Sequence, residues 1–207
     1  MSSFQCLGSF FLLVLATTLN SVAQQPAAPA KALPQAVIEQ TSSTVVNSEF
    51  VKKQFGSEFT LLPSFAPLTA DLDGDGVEDV VIAARCKNPL IDQAEHDYKV
   101  LDPYDSFYGF GDPKVTTKFS EEDPLYRGLV LLIIHGAGSD GWRAEATKSK
   151  FVIINLPFKQ LAVKKLTVHK KPVMAIYAEE ATADGATSVI FFDGKKYKYQ
   201  PMGSSME

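Results

Sequence analysis

The chain has 207 residues, a formal net charge of −4, 45% hydrophobic residues and 21% charged residues. These values are those of one globular domain, or two small ones, and they exclude wholesale disorder, collagen-like repeats and a polytopic membrane protein. The excess of 24 acidic over 20 basic residues argues against a nucleic-acid partner, and the two cysteines are too few for a disulfide-rich scaffold.

The N-terminus predicts a secretory signal peptide over residues 1–23. Residues 6–16 form an apolar run, and Ser21-Val22-Ala23 supplies small residues before the predicted cleavage point. A retained membrane anchor is the alternative, but this run is shorter than the ~20 residues that a spanning helix needs. We therefore expect a secreted or periplasmic protein with no membrane association after cleavage. Cleavage leaves Cys86 as the remaining cysteine, and its apolar neighbours predict a buried structural thiol.

Composition divides the rest of the chain into three parts. Residues 24–43 are rich in Ala, Pro and Gln and predict a flexible tether. Residues 44–202 form the predicted single domain, and residues 203–207 are expected to fray. A capped helix is predicted over 47–56, where Asn47 or Ser48 begins it and Gly56 ends it. Apolar runs predict the following strands: 59–62, 66–70, 79–85, 129–134, 151–155, 173–179, 188–192 and 196–200.

An aspartate-rich loop lies between the second and third of these strands. Residues 71–79 read Asp-Leu-Asp-Gly-Asp-Gly-Val-Glu-Asp, which places carboxylates at loop positions 1, 3, 5 and 9. Ca²⁺ takes six to eight oxygen ligands, and this spacing can wrap a short loop around one ion. Position 7, Val77, can offer its backbone carbonyl. A polar turn without metal is the alternative.

The loop and its flanks resemble the calcium loop of FG-GAP and VCBS-type repeats. The flanks are Leu68-Thr69-Ala70 before the loop and Val80-Val81-Ile82-Ala83 after it. An EF-hand is excluded because its position 12 holds a bidentate Glu, whereas Ile82 stands there. The resemblance implies calcium bound by the following ligands: Asp71, Asp73, Asp75, the carbonyl of Val77, and Asp79. Such repeats build propeller blades, but one copy does not make a complete propeller.

The segment 87–126 is acidic and aromatic and lacks a clear periodic element. Loops of this length are commonly functional or mobile. Two interpretations stay open at this point. The aromatic side chains either pack on the sheet, or residues 92–119 form a surface that binds a glycan or peptide.

A second pattern suggests an enzyme. The glycine-rich turn over residues 135–142, which begins His135-Gly136, resembles the segment that shapes the oxyanion hole of α/β-hydrolases, and such an enzyme would use His135 or Ser139. No Gly-x-Ser-x-Gly elbow follows on a later strand, and the only later histidine is His169. We therefore expect no catalytic site and treat this hydrolase interpretation as the weaker alternative.

The C-terminal strands predict a hairpin at Asp193-Gly194. The second strand alternates Lys and Tyr, so one face should be aromatic and the other solvated. Together the elements predict a β-rich α+β fold of antiparallel hairpins with one or two short helices. The predicted function is a calcium-stabilised binding or structural module. Its ligand, a protein or glycan outside the cytoplasm, stays unidentified.

Overall fold

The computed structural model describes residues 45–109, 126–181 and 186–202. The α-helices are α1 (Ser48–Phe55), α2 (Gln93–His96) and α3 (Pro103–Tyr108), and a 3₁₀ segment, η1, covers Gly138–Arg143. The strands are β1 (Phe59–Leu61), β2 (Leu68–Ala70), β3 (Asp79–Cys86), β4 (Tyr98–Leu101), β5 (Leu129–His135), β6 (Ser149–Ile153), β7 (Phe158–Val168), β8 (Lys171–Glu180), β9 (Thr187–Phe192) and β10 (Tyr197–Pro201). Among the described helices, none has the length and apolar character required to cross a bilayer.

The strands form two sheets. The first has the order β1-β3-β5-β6-β4, and β2 also pairs with β3. Its neighbours are antiparallel except for β4 and β6, which are parallel. The second sheet is an antiparallel meander in the order β10-β9-β8-β7. The predicted β-rich α+β class is confirmed, with more short helices than the one or two expected.

The first sheet is the central layer and is buried on both faces. Val80 and Ile82 of β3 belong to a core shared with α1, whereas Val81 and Ala83 belong to a core shared with the second sheet. β5 alternates in the same way. Continuous apolar runs, and not alternating ones, are the pattern expected of strands that are covered on both sides.

Helix α1 closes the outer face of the central sheet. The Asn47 side chain accepts a hydrogen bond from the Phe50 amide at 2.8 Å, which caps the helix as predicted. Gly56 ends it with φ = 100°. Phe50, Val51 and Phe55 are buried, and the Phe50 ring meets the Trp142 ring edge-on at 5.6 Å.

The segment predicted to lack regular elements contains three of them before residue 110. Helix α2, strand β4 and helix α3 lie within 93–108, so that part of the prediction is wrong. Tyr98 on β4 is buried, while Phe107 and Tyr108 on α3 are about half exposed. The aromatic residues Phe110 and Phe119 lie outside the described residues, as do residues 1–44 and 203–207 with the predicted signal peptide, tether and frayed tail.

The second sheet contains three hairpins between consecutive strands, and the first of them, β7–β8, was not predicted. β7 and β8 are joined by His169 and Lys170, which have φ = 48° and 68°. The predicted β9–β10 hairpin is confirmed, but its connection is four residues long, and Gly194 has φ = 95°. Its alternation is also confirmed, since Tyr197 and Tyr199 are buried.

Candidate metal centre

The aspartate-rich loop connects two paired strands of the central sheet. Ala70 at the end of β2 is the register partner of Asp79 at the start of β3, so residues 71–78 leave and re-enter the sheet at one point. Gly74 and Gly76 have φ = 79° and 85°, a conformation that other residues adopt at a cost. The loop therefore turns tightly where the sequence places glycine.

Three of the four predicted carboxylate ligands converge. One carboxylate oxygen each from Asp71, Asp73 and Asp79 lies within 4.8 Å of the others. Two oxygens bound to one Ca²⁺ at 2.3–2.6 Å are at most about 5 Å apart, so this spacing is compatible with a shared cation. The fourth, Asp75, is not in this group of carboxylates, and its side chain accepts a hydrogen bond from the Val77 amide at 2.9 Å.

Asp71 organises the backbone of the loop. Its carboxylate accepts hydrogen bonds from the amides of Gly74 at 2.7 Å, Asp75 at 3.1 Å and Gly76 at 2.9 Å. These amides point inward toward the first residue of the loop. The loop is thus folded around its own first carboxylate.

Asp79 is the buried end of the loop. Its side chain accepts the Leu72 amide at 2.7 Å and the Gly136 amide at 2.8 Å. Burial raises the pKa of the Asp79 carboxyl to about 6, although both amide hydrogen bonds oppose this rise. Asp79 therefore ties the loop to the start of β3 and to the segment that follows β5.

Lys148 supplies a positive charge to the loop. Its ammonium group lies 2.7 Å from Asp73 Oδ2 and 2.6 Å from Asp75 Oδ2. The hydrogen bond from Lys148 lowers the pKa of Asp75, and the two carboxylates raise the pKa of Lys148. The Asp73 side chain is only 2% exposed. The sequence gives no signal for this contact, because Lys148 is 75 residues beyond Asp73.

His135 lies in a buried polar network beneath the loop. Its Nε2 is 2.7 Å from the Tyr197 hydroxyl, and its Nδ1 is 3.1 Å from Ser149 Oγ and 3.4 Å from Asp73 Oδ2. Burial lowers the pKa of His135, and the nearby Asp73 charge opposes that effect. This network links the loop to β5, β6 and β10.

The glycine-rich segment after β5 packs against the end of the loop. A Cβ on Gly136 would overlap the Glu78 carbonyl oxygen, and one on Gly141 would lie 2.7 Å from the same atom. The Trp142 amide donates to this carbonyl at 2.9 Å, while the Trp142 indole donates to the Glu78 carboxylate at 3.0 Å. Arg143 pairs with that carboxylate at 2.6 Å and lowers its pKa. The two glycines are therefore explained by close backbone approach.

The residues of the hydrolase interpretation do not assemble. Ser139 is exposed and its hydroxyl lies 3.3 Å from the Asp140 carboxylate. His169 occupies the β7–β8 turn. Within residues 45–109, 126–181 and 186–202, no hydrogen bond joins Ser139 to a histidine. Cys86 is buried, as predicted, and burial raises the pKa of its thiol to about 12.

A small cavity of about 240 Å³ opens beside the loop. Asp71 and Asp73 line one side of it, and Lys165, Met174 and Phe192 of the second sheet line the other. Two of the five predicted ligands, Asp71 and Asp73, therefore line a concave surface. Comparison with protein-family models, curated proteins and solved structures gives no match to this chain.

Proposed function

We propose that the chain is a calcium-stabilised binding or structural module that acts outside the cytoplasm. The observation that carries the proposal is the convergence of carboxylate oxygens from Asp71, Asp73 and Asp79 within 4.8 Å at the junction of β2 and β3. Hard cations prefer such all-oxygen sites, and the likeness of the loop to FG-GAP and VCBS-type loops favours calcium. The apolar N-terminus supports secretion.

The position of the loop supports a stabilising role for the ion. Asp79 bonds to the segment after β5, and Glu78 bonds to Trp142, which packs on helix α1. An ion held by the loop would therefore restrain residues from several elements at once. It would also offset the repulsion between Asp71, Asp73 and Asp79, which the unfolded chain relieves by separating them.

A structural role for the segment 136–142 favours this function over the hydrolase alternative. Gly136 and Gly141 lie against the backbone of Glu78, and the Gly136 amide is already used by Asp79. An oxyanion hole needs backbone amides that are available to the substrate. We therefore propose a non-enzymatic module.

Thermal unfolding in EDTA and in about 1 mM calcium tests the proposal. Extracellular calcium modules bind with dissociation constants of ~0.1–1 mM. At ~0.1 mM the linkage free energy is about 1.4 kcal/mol, which for a domain of this size raises the melting temperature by about 3–6 °C. Magnesium should do less, because it retains its water more strongly.

The variant Asp73→Asn should lose most of this shift. Asp140→Asn, at an exposed aspartate of η1, is the matched control and should keep it. Equal melting temperatures of the unmodified protein in EDTA and in calcium would contradict the proposal.

A further inference from the structure

Strand β7 forms one edge of the second sheet. It pairs with β8 on one side, and from Gln160 to Val168 this pairing runs through nine consecutive residues without a bulge. Among the described residues, no strand pairs with its other side. The other strands that end a sheet are β1, β4 and β10, with three, four and five residues, whereas β7 has 11. Proteins generally keep such edges short, because an open edge offers unpaired backbone groups to other chains.

The open side of β7 is accessible. Strand β2 packs close to β7 without pairing with it, and its apolar side chains share a core with Leu161 and Val163. Outside the β7–β8 ladder, the only hydrogen bond from a described residue to the backbone of residues 159–168 comes from the Tyr177 hydroxyl, at 3.4 Å from the Lys165 carbonyl oxygen. About half of the backbone groups of a strand point to each side, so this edge carries groups that a further strand can bind. Exposed side chains occur along its length: Lys159, Gln160, Lys164, Lys165 and Thr167.

The charged side chains of the β7–β8 hairpin are positive over most of its length. Residues 158–178 include five lysines and no Asp or Glu. Lys159 pairs with Glu179 at 2.8 Å. Lys164 and Lys165 make no ion pair with any described carboxylate, although Lys165 lines the small cavity beside the aspartate-rich loop. These two lysines therefore place unpaired positive charge near the middle of the open edge.

The lysines argue against pairing of β7 with the same strand of a second copy. The antiparallel register that overlaps all nine residues 160–168 would place Lys164 opposite Lys164, and like charges that face each other across a ladder are unfavourable. Lysines on an edge strand commonly prevent such self-association. An acidic strand gains from the same charges, so it is the partner that complements this edge.

We propose that β7 binds an extended acidic segment of another protein as an added strand. Successive residues of a strand face opposite sides of the sheet, so two consecutive acidic residues of the partner can meet Lys164 and Lys165. The neighbours of this lysine pair, residues 161–163 and 166–168, are apolar residues and one threonine, so β-branched residues should flank the acidic pair. The inference names a partner for the binding role proposed above, but it does not depend on the calcium site.

Binding of labelled nine-residue peptides to the full chain tests the inference. The first peptide alternates Thr and Val and carries two consecutive Glu at its centre, and the second carries two Lys in their place. The Glu peptide should bind about tenfold more tightly than the Lys peptide. Equal binding of the two peptides, tighter binding of the Lys peptide, or no binding of either would overturn the proposal.

Methylation of alternate peptide amides distinguishes strand addition from attraction by charge alone. In an added strand, one alternate set of amides faces β7 and the other set faces solvent. Two Glu peptides, each methylated on one set, have the same charge. One of them should bind at least about tenfold more weakly than the unmethylated peptide, and the other should stay within about twofold of it. Equal affinities of the two methylated peptides would overturn the proposal.

Matched variants locate the site on β7. Replacing Lys164 and Lys165 together by Gln should weaken binding of the Glu peptide about fivefold. Replacing Lys52 and Lys53 together by Gln, at the adjacent exposed lysines of α1, should leave its affinity unchanged. Equal effects of the two double variants would overturn the assignment. The calcium melting shift is measured separately, so failure of the peptide site and failure of the calcium site are distinguishable.

Discussion

Replacing Lys148 by Gln should make the protein less stable without calcium and increase its affinity for calcium. The Lys148 ammonium group bonds to Asp73 at 2.7 Å and to Asp75 at 2.6 Å. Because Lys148 is 48% exposed, its ion pair with Asp75 contributes little to the free energy of unfolding. Its charge-assisted hydrogen bond to the buried Asp73 side chain contributes more. We expect a loss of about 1–2 kcal/mol in EDTA, which corresponds to about 3–6 °C in melting temperature.

The effect on calcium affinity has the opposite sign. A calcium ion that binds Asp73 must displace the ammonium group of Lys148 from this carboxylate. The free energy of the contact between Lys148 and Asp73 therefore reduces the free energy of calcium binding. Without the lysine, calcium should bind about tenfold more tightly. The assay is calcium titration followed by the fluorescence of Trp142, the only tryptophan, whose indole bonds to Glu78.

The matched control is Lys159→Gln, which removes an exposed pair with Glu179 at 2.8 Å on the second sheet. This variant should change the free energy of unfolding by less than about 0.5 kcal/mol and leave calcium affinity unchanged. Weaker calcium binding by Lys148→Gln, or an unchanged melting temperature in EDTA, would refute the reasoning.

Two further predictions concern the anchoring of the loop. Burial raises the pKa of Asp79 in the folded state from 3.8 to about 6, so the folded state binds this proton more tightly than the unfolded state does. In EDTA, the contribution of Asp79 to the free energy of unfolding should therefore fall as the pH rises from about 4 to 6. Calcium needs the ionised carboxylate, so the calcium-induced melting shift should grow between pH 5 and 7.5, and a constant shift would contradict this. Gly136→Ala should cost about 2–3 kcal/mol in urea unfolding, because its Cβ overlaps the Glu78 carbonyl. Gly138 has φ = 62° and open space around an added Cβ, so Gly138→Ala should cost about 1 kcal/mol. Equal costs for the two variants would be evidence against the close approach of Gly136 to Glu78.

The sequence predicted the fold wherever a local pattern determines the structure. The cap at Asn47 is a local signal, and so are the apolar runs of β3 and β5; all were predicted close to their observed bounds. β7 was missed because its lysines and apolar residues follow no strict alternation. Its turn, at His169 and Lys170, contains neither glycine nor asparagine, so it carries none of the usual turn signals.

The candidate site was only partly predictable for a related reason. Spacing alone indicated the convergence of Asp71, Asp73 and Asp79, because these residues lie within one tight loop. The contacts from Lys148 and His135 depend on the pairing of β5 with β6, which brings distant residues together. The close approach of Gly136 to Glu78 depends likewise on the pairing of β3 with β5. A local motif shared with hydrolases therefore suggested an oxyanion hole where the fold uses the glycines for packing.

Terbium luminescence tests the calcium site most directly. Tb³⁺ is a hard cation that binds oxygen ligands, and Trp142 lies close enough to the loop to excite it, since its indole bonds to Glu78. We predict emission from bound terbium on excitation of the tryptophan, its displacement by calcium but much less by magnesium, and its loss in Asp73→Asn. No sensitised emission, or emission that Asp73→Asn leaves unchanged, would contradict a calcium site in residues 71–79.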